Sequence, residues 1–189
     1  MQARAVRRRA SLLDAAAALL ERSGFEAVNT NAIAEEAGTA VGTVYHYFPD
    51  KPALLAALLE RYRTRLEQAI LGALTPVMGE PLETLIDVGV RAFAAFYTDE
   101  PGYAELWLGS QLSGPLREAG ASWGGHFSSL FGQLLVQHLC LAPALAQRRA
   151  TVFVHAVSAV VSLAVQRDEP ERAVLVEEAI ALGQRYLSG

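Results

Sequence analysis

Residues 33–55 read IAEEAGTAVGTVYHYFPDKPALL. The apolar pair Ile33-Ala34, the polar pair Glu35-Glu36 and then Ala37-Gly38 describe a short helix with a glycine stop. Asn29 stands where a side chain caps a helix start, so this helix is expected over 30–37. A tight turn follows, and 41–48 forms a second short helix. Asp50 then caps a longer helix, with Pro52 near its first position, where proline is tolerated. Two short helices joined by a tight turn make a helix-turn-helix candidate, the motif lying at about 29–48.

Outward from that stretch the periodicity stays helical. Val6, Ala10, Leu13, Ala17 and Leu20 recur at spacings of three and four, giving a first helix to about Arg22. Ser23-Gly24 stops it, Gly24 being suited to the left-handed C-terminal position. Beyond Asp50, Leu54, Leu55, Leu58, Tyr62, Leu66 and Ile70 mark one apolar face, and Arg61, Arg63 and Arg65 the solvated side; Pro76 and Gly79 end that helix. Further helices are expected over 81–98, 101–112, 121–141, 144–166 and 171–187, with breaks at Asp99-Glu100-Pro101, Ser113-Gly114-Pro115, Pro143 and Asp168-Glu169-Pro170. No alternating segment competes, so the fold class is all-α.

Composition narrows the classes further. With 189 residues, 52% hydrophobic and 19% charged, the chain can bury a core as one large or two small domains, which excludes intrinsic disorder. A net charge of −4 removes any bulk basic character, so a nucleic-acid site must be local. Cys140 is the only cysteine, which excludes an intramolecular disulfide, suits a reducing compartment, and is expected to be a buried thiol. No Cys/His cluster has zinc spacing, and no metal or cofactor is expected. The arginines before Leu12 faintly suggest a signal peptide. Asp14, Glu21 and Arg22 break the apolar run, and no small-residue cleavage site follows. The charge-free stretch 150–166 is interrupted by His155, Ser158 and Ser162 and falls short of the roughly 18–20 apolar residues of a span. The expectation is a cytoplasmic protein with no membrane association.

The order Ile33-Ala34, two polar residues, Ala37-Gly38, a turn, Gly42-Thr43, Val44, Tyr45, any residue, Tyr47-Phe48, then Lys51 and leucines resembles the DNA-binding segment of the TetR family of bacterial transcriptional regulators. The preceding LLDAAAALLERSG and Gly24-Phe25 are similar to that family's first helix, so the resemblance covers about residues 10–58. It implies a three-helix helix-turn-helix domain over 1–50 and a larger helical ligand-binding and dimerisation domain over 51–189. The implied protein binds double-stranded DNA at a near-palindromic operator as a homodimer, and a small-molecule effector releases it.

Each matching residue has its own physical sense. Ile33, Ala34, Ala37 and Val44 face the first helix. Gly42 allows close approach to a DNA backbone. Thr30, Thr43 and Tyr45 offer hydroxyls to phosphates, and Lys51, the only lysine in the chain, offers a point charge. Base reading falls to Asn31, Ala40, Val41, Thr43 and His46, with Ala40 or Val41 against a thymine methyl and His46 or Asn31 on a base edge or phosphate. Tyr47 and Phe48 are expected inside. Two positions depart from the family: Ala40 stands where a serine cap is common, and Val41 where a polar or basic residue is common. Residues 1–51 hold six basic and six acidic side chains, a net of zero. The run Arg4, Arg7, Arg8, Arg9 is therefore expected to supply attraction as a mobile arm on phosphates or in a minor groove, the alternative being a solvated helix start with unfavourable N-terminal charges.

The second domain is rich in aromatics. Such residues usually form plain core; the alternative is a ligand cavity between helices, drawing on Phe93, Phe96, Tyr97, Trp107, Phe127 and Phe131, with Gln111, His126 and His155 as its few polar groups. Ala156, Ser158, Ala159 and Ser162 permit close helix approach, and with Val174, Val176, Ala179, Ile180, Leu182 and Tyr186 they suggest a dimer face, the alternative being burial inside the monomer. The competing classes are a helical enzyme and a helical interaction protein. No nucleophile–base pair, metal set or phosphate loop supports the first, so no catalytic residue is assigned. The ordered set Gly42, Thr43, Tyr45, Lys51 argues against the second, since a plain bundle has no need of it.

Overall fold

The computed structural model describes residues 2–110 and 114–188, and every regular element among them is helical. The elements are α1 (Gln2–Ala27), α2 (Thr30–Glu36), α3 (Val41–Tyr47), α4 (Lys51–Leu74), α5 (Leu82–Asp99), α6 (Tyr103–Ser110), α7 (Gly114–Leu139), α8 (Pro143–Ala164) and α9 (Glu171–Ser188), with a 3-10 turn at Thr75–Val77. Two compact units result. One comprises residues up to 64 together with 98–120, the other 65–97 together with 121 onward. Helices α4 and α7 each contribute to both.

The first unit is built on α1. Leu12, Leu13, Ala16 and Leu20 of α1 are buried with Ile33 of α2, Val44 and Phe48 at α3, and Leu54, Leu55, Leu58 and Tyr62 of α4. Each large apolar side chain removed from water stabilises by about 1.5–3 kcal/mol, so these short helices are held by packing rather than by propensity. The Tyr62 hydroxyl donates to the Pro101 carbonyl at 2.6 Å, and its ring meets Tyr103 edge-on at 5.5 Å. At Gly102 a Cβ would sit 2.5 Å from the Ala17 carbonyl oxygen, so the turn before α6 lies directly on α1.

In the second unit α8 and α9 pack along their length, burying Val157, Val161, Ala164, Val176, Ala179 and Ile180. Phe131 stacks on Phe153 with centroids 4.4 Å apart, and Gly183 leaves room for the Phe153 ring. Arg91 joins Asp87 at 3.0 Å and Glu177 of α9 at 2.7 Å.

Several expectations are corrected. The Arg4–Arg9 run is not a mobile arm: it forms the opening turns of α1. Gly24 does break α1 with φ 76, but its ψ of 175 is not the left-handed helical pair, and the chain turns helically again to Ala27. Helix α7 begins at Gly114, seven residues before the expected 121. Gly120 in its path costs only about 1 kcal/mol relative to alanine, which burial of Leu116 and Trp123 on the same helix outweighs. The end of the 101–112 expectation lies outside the described residues. Cys140 is exposed, with φ 50, because it closes α7 in a surface turn.

Candidate nucleic-acid interface

Helix α2 starts where Asn29 caps it: Asn29 Oδ1 accepts from the backbone N–H of Asn31 at 3.1 Å and of Ala32 at 3.0 Å. Ile33 and Ala34 are buried. The turn to α3 passes through Gly38 at φ 59, where a side chain would be strained, and the Thr39 N–H closes it on the Ala34 carbonyl at 2.9 Å. Ala40 caps α3 with no side-chain bond, as expected of an alanine there; the Thr43 N–H bonds the Ala40 carbonyl at 2.8 Å instead. Val44 and Phe48 face inward, while Tyr47 is only half-buried.

Holding Val44 and Phe48 inside turns the opposite side of α3 out. Ala40, Val41, Gly42, Tyr45 and His46 are exposed, as is Asn31 on α2; Thr30 and Thr43 are half-buried. The Thr30 and Tyr45 hydroxyls meet at 3.2 Å, tying the two helices across their outer surface. Nothing lies within 4 Å of a Cβ built on Gly42, so the protein's own packing does not require glycine at that position.

Lys51 sits apart from this group. Its ammonium donates to the Phe25 carbonyl at 3.2 Å and stands 4.8 Å above the Phe25 ring. One of its three N–H donors is therefore committed to the end of α1. The Phe25 ring is itself pressed by α6, since a Cβ on Gly109 would fall 2.3 Å from it. The spacing of the motif gave no sign of this clamp. Nor did it show the forked pair of Arg22 with Glu36, 2.6 Å and 3.3 Å, which fastens α1 to α2. The Arg22 hydrogen bonds hold the Glu36 carboxyl below the usual carboxylate range, and the carboxylate raises Arg22 in turn.

The residues expected to line a ligand cavity are scattered. Phe93, Phe96, Tyr97, His126, Phe127, Phe131 and His155 belong to the second unit and Trp107 to the first; Gln111 lies outside the described residues. Phe96 and Tyr97 are buried, and Phe93 meets Tyr97 edge-on at 5.2 Å. His126 Nε2 is 2.9 Å from Glu67 Oε2, with Phe127 against its ring at 5.5 Å. His155 is exposed, its Nδ1 2.8 Å from the Thr151 carbonyl. A shallow groove between α8 and α9 is lined by other, mostly aliphatic residues, among them Val152, Ala156 and Leu182, with Tyr186. No group of three His, Cys, Asp or Glu among the described residues could hold a metal ion, and no helix there is long and apolar enough to cross a membrane.

Known proteins share this arrangement. A family model described as bacterial regulatory proteins, tetR family, matches residues 12–58, and one described as tetracyclin repressor-like, C-terminal domain, matches residues 81–187. The HTH-type transcriptional repressor KstR of Mycolicibacterium smegmatis is 44% identical over 73 residues, 36% of this chain and 36% of that one. The HTH-type transcriptional regulator BetI of Paraburkholderia phytofirmans is 30% identical over 113 residues, 58% of each chain. The matches thus span between about a third and somewhat over half of these curated relatives. The crystal structure of a TetR-family transcriptional regulator from Streptomyces coelicolor superposes with a TM-score of 0.72 at 26% identity, covering 96% of this chain and 98% of that one.

Proposed function

The chain belongs to the TetR family of bacterial regulatory proteins, and we propose that it is a DNA-binding transcriptional regulator, a dimeric cytoplasmic repressor released from a near-palindromic operator by a small, largely apolar ligand. The observation that carries this reading is the outward face of α2 and α3, where Asn31, Val41, Gly42, Tyr45 and His46 stand exposed on helices anchored by Ile33, Val44 and Phe48. Thr30, Thr43, Tyr45 and the remaining donors of Lys51 take phosphates; Asn31, Ala40, Val41, Thr43 and His46 read bases. The DNA-binding domain is residues 1–50, and 51–189 binds the ligand and the second subunit. The name repressor borne by the KstR relative favours repression.

Dimerisation is supported by the apolar side that α8 and α9 leave uncovered. Val152 is 51% exposed, Leu163 43%, Val174 57% and Leu182 44%, with Ala159 exposed between them. Burying this surface in a second copy removes apolar area from water. A two-fold dimer carries two recognition helices, which sets half-sites about 34–36 Å apart or a little more.

The test is a mobility-shift titration against duplexes selected from random sequence, with the mass of the complex read by light scattering. The expected result is a dimer on a near-palindrome whose affinity falls steeply with salt. Binding as a monomer alone, or with no salt dependence, overturns the reading. Release by a ligand is tested by a thermal-shift screen, each hit being titrated against the protein–DNA complex. A coupling of about 1–3 kcal/mol, or ~5–150-fold in DNA affinity, is expected, with DNA weakening ligand binding by the same factor. Hits that raise the melting temperature and leave DNA affinity untouched count against an effector role.

A further inference from the structure

The opening turns of α1 are the part of the first unit that its own packing does not explain. Residues 3–10 are all exposed, and Leu12 is the first buried side chain. Residues 2–11 thus form a helical overhang about 15 Å long. It carries Arg4, Arg7, Arg8 and Arg9, and it lies ahead of the family match, which begins at residue 12. Positive charge at a helix N-terminus opposes the helix dipole. Nothing offsets it locally: the first turn of α1 has no acidic residue. Asp14, the first acidic residue of the chain, is taken by Arg61 at 2.5 Å. Among the described residues Arg4, Arg7 and Arg8 have no ion-pair partner.

The overhang is aimed. Arg9 lies over the Phe48 ring, 5.2 Å from its centroid, which fixes the base of the overhang beside the exit of α3. Arg4 is 18 residues, five full helical turns at about 3.6 residues each, before Arg22. Arg22 reaches α2 through Glu36. Arg4, with Arg8 one turn further along, therefore lies on the flank of α1 that faces the helix-turn-helix.

We propose that Arg4 and Arg8 extend the DNA interface onto backbone phosphates flanking each half-site, with the overhang lying along the duplex. This rests on the DNA-binding reading above. A rigid helix of ~15 Å spans about four base pairs at ~3.4 Å each. Guanidiniums on it neutralise phosphates without reading sequence. The polyanion supplies the counter-charge that the helix lacks.

The test compares wild type, the double variant Arg4→Gln with Arg8→Gln, and an Arg148→Gln control. Each is titrated across a salt series on a long selected duplex and on the same duplex trimmed by four base pairs at each end. The double variant should lower the slope of log affinity against log salt by about 0.9 per lost phosphate, ~3–4 for a dimer. It should bind both duplexes alike, whereas wild type and the control prefer the long one. Its melting temperature should not fall, because both side chains are exposed. If wild type binds DNA and the double variant keeps its slope and its preference for the long duplex, this inference fails while the DNA-binding reading stands. If wild type binds no duplex, both fail. Sedimentation of wild type, but not the double variant, with phosphatidylserine vesicles, alongside unchanged DNA binding, would reassign the overhang to a lipid surface.

Discussion

On α2 and α3 the exposed residues include Asn31, Tyr45 and His46 beside Ala40, Val41 and Gly42; on α8 and α9 they include the apolar Val152, Ala159, Leu163, Val174 and Leu182. Both faces belong to pairs of packed helices whose inner sides are apolar. The first can leave its hydroxyls, amide and imidazole in water at no cost, and these gain when a partner offers hydrogen-bonding atoms at matching positions. The second leaves aliphatic surface wet, at about 25 cal/mol for each Å², and gains from any dry, shape-matched partner. A helix pair thus acquires its partner from what the outward positions carry, and the inner face says nothing about it. This is why a polyanion is proposed for one face and a copy of the chain for the other.

Breaking the apolar face should produce the largest effect. Ala159→Arg places a charge in the proposed subunit contact, once from each protomer. An uncompensated buried charge costs about 3–5 kcal/mol, more than ~100-fold in dimer affinity. Ala159 is exposed on the single chain, so the fold itself should survive. Light scattering should report monomers at micromolar concentration with unchanged helical circular dichroism, and operator affinity should drop with the loss of the second recognition helix. A fully dimeric variant removes α8 from the interface.

Gly42→Ala sharpens the polar side of the comparison with a smaller effect. A methyl group there meets nothing in the protein, and alanine is the better helix former by up to about 1 kcal/mol. Thermal stability should therefore hold or rise. If the space above Gly42 is where the DNA backbone approaches, the same methyl group intrudes on a close contact. Operator affinity should then fall by about 1–3 kcal/mol, the cost of overpacking a tight site. Unchanged affinity would place the backbone elsewhere.

How much could be read beforehand differs between these regions for physical reasons. The segment from Asn29 to Asp50 was legible because its signals are local: a cap two and three residues from the N–H groups that donate to it, a positive-φ glycine, and a second cap at Asp50, whose Oδ1 accepts the Ala53 N–H at 2.7 Å. The start of α7 was not, since Ser113-Gly114-Pro115 read as a break while burial of Leu116 and Trp123 keeps the helix. Lys51 looked like a free cation because its partner, the Phe25 carbonyl, lies 26 residues away. Separations of 14 and 47 residues hid Arg22–Glu36 and Arg61–Asp14 in the same way. The aromatic residues of the later helices were visible as types, but which of them share a space depends on helix packing that no local pattern encodes.

The smallest effect lies at the seam between α1 and the polar face. Arg22 hydrogen-bonds the Glu36 carboxylate, so this group releases its proton more readily in the folded chain than in the unfolded one. The unfolded chain then binds more protons across the acid range, and stability rises with pH there. The contribution of Glu36 is complete above the ordinary glutamate value of about 4.3, and it is lost as pH falls through the lower folded value. Arg22 is shifted upward from a value already far above neutrality, so it titrates outside the usable range. Glu36→Gln keeps the shape but abolishes the titration. Melting temperatures of wild type and variant should differ slightly at pH 7, with wild type the more stable, and should converge toward pH 3. Because the pair is exposed, raising the salt concentration should also shrink the difference at pH 7. A gap that widened on acidification would mean that Glu36 is held protonated by the fold, against the hydrogen bonds seen with Arg22.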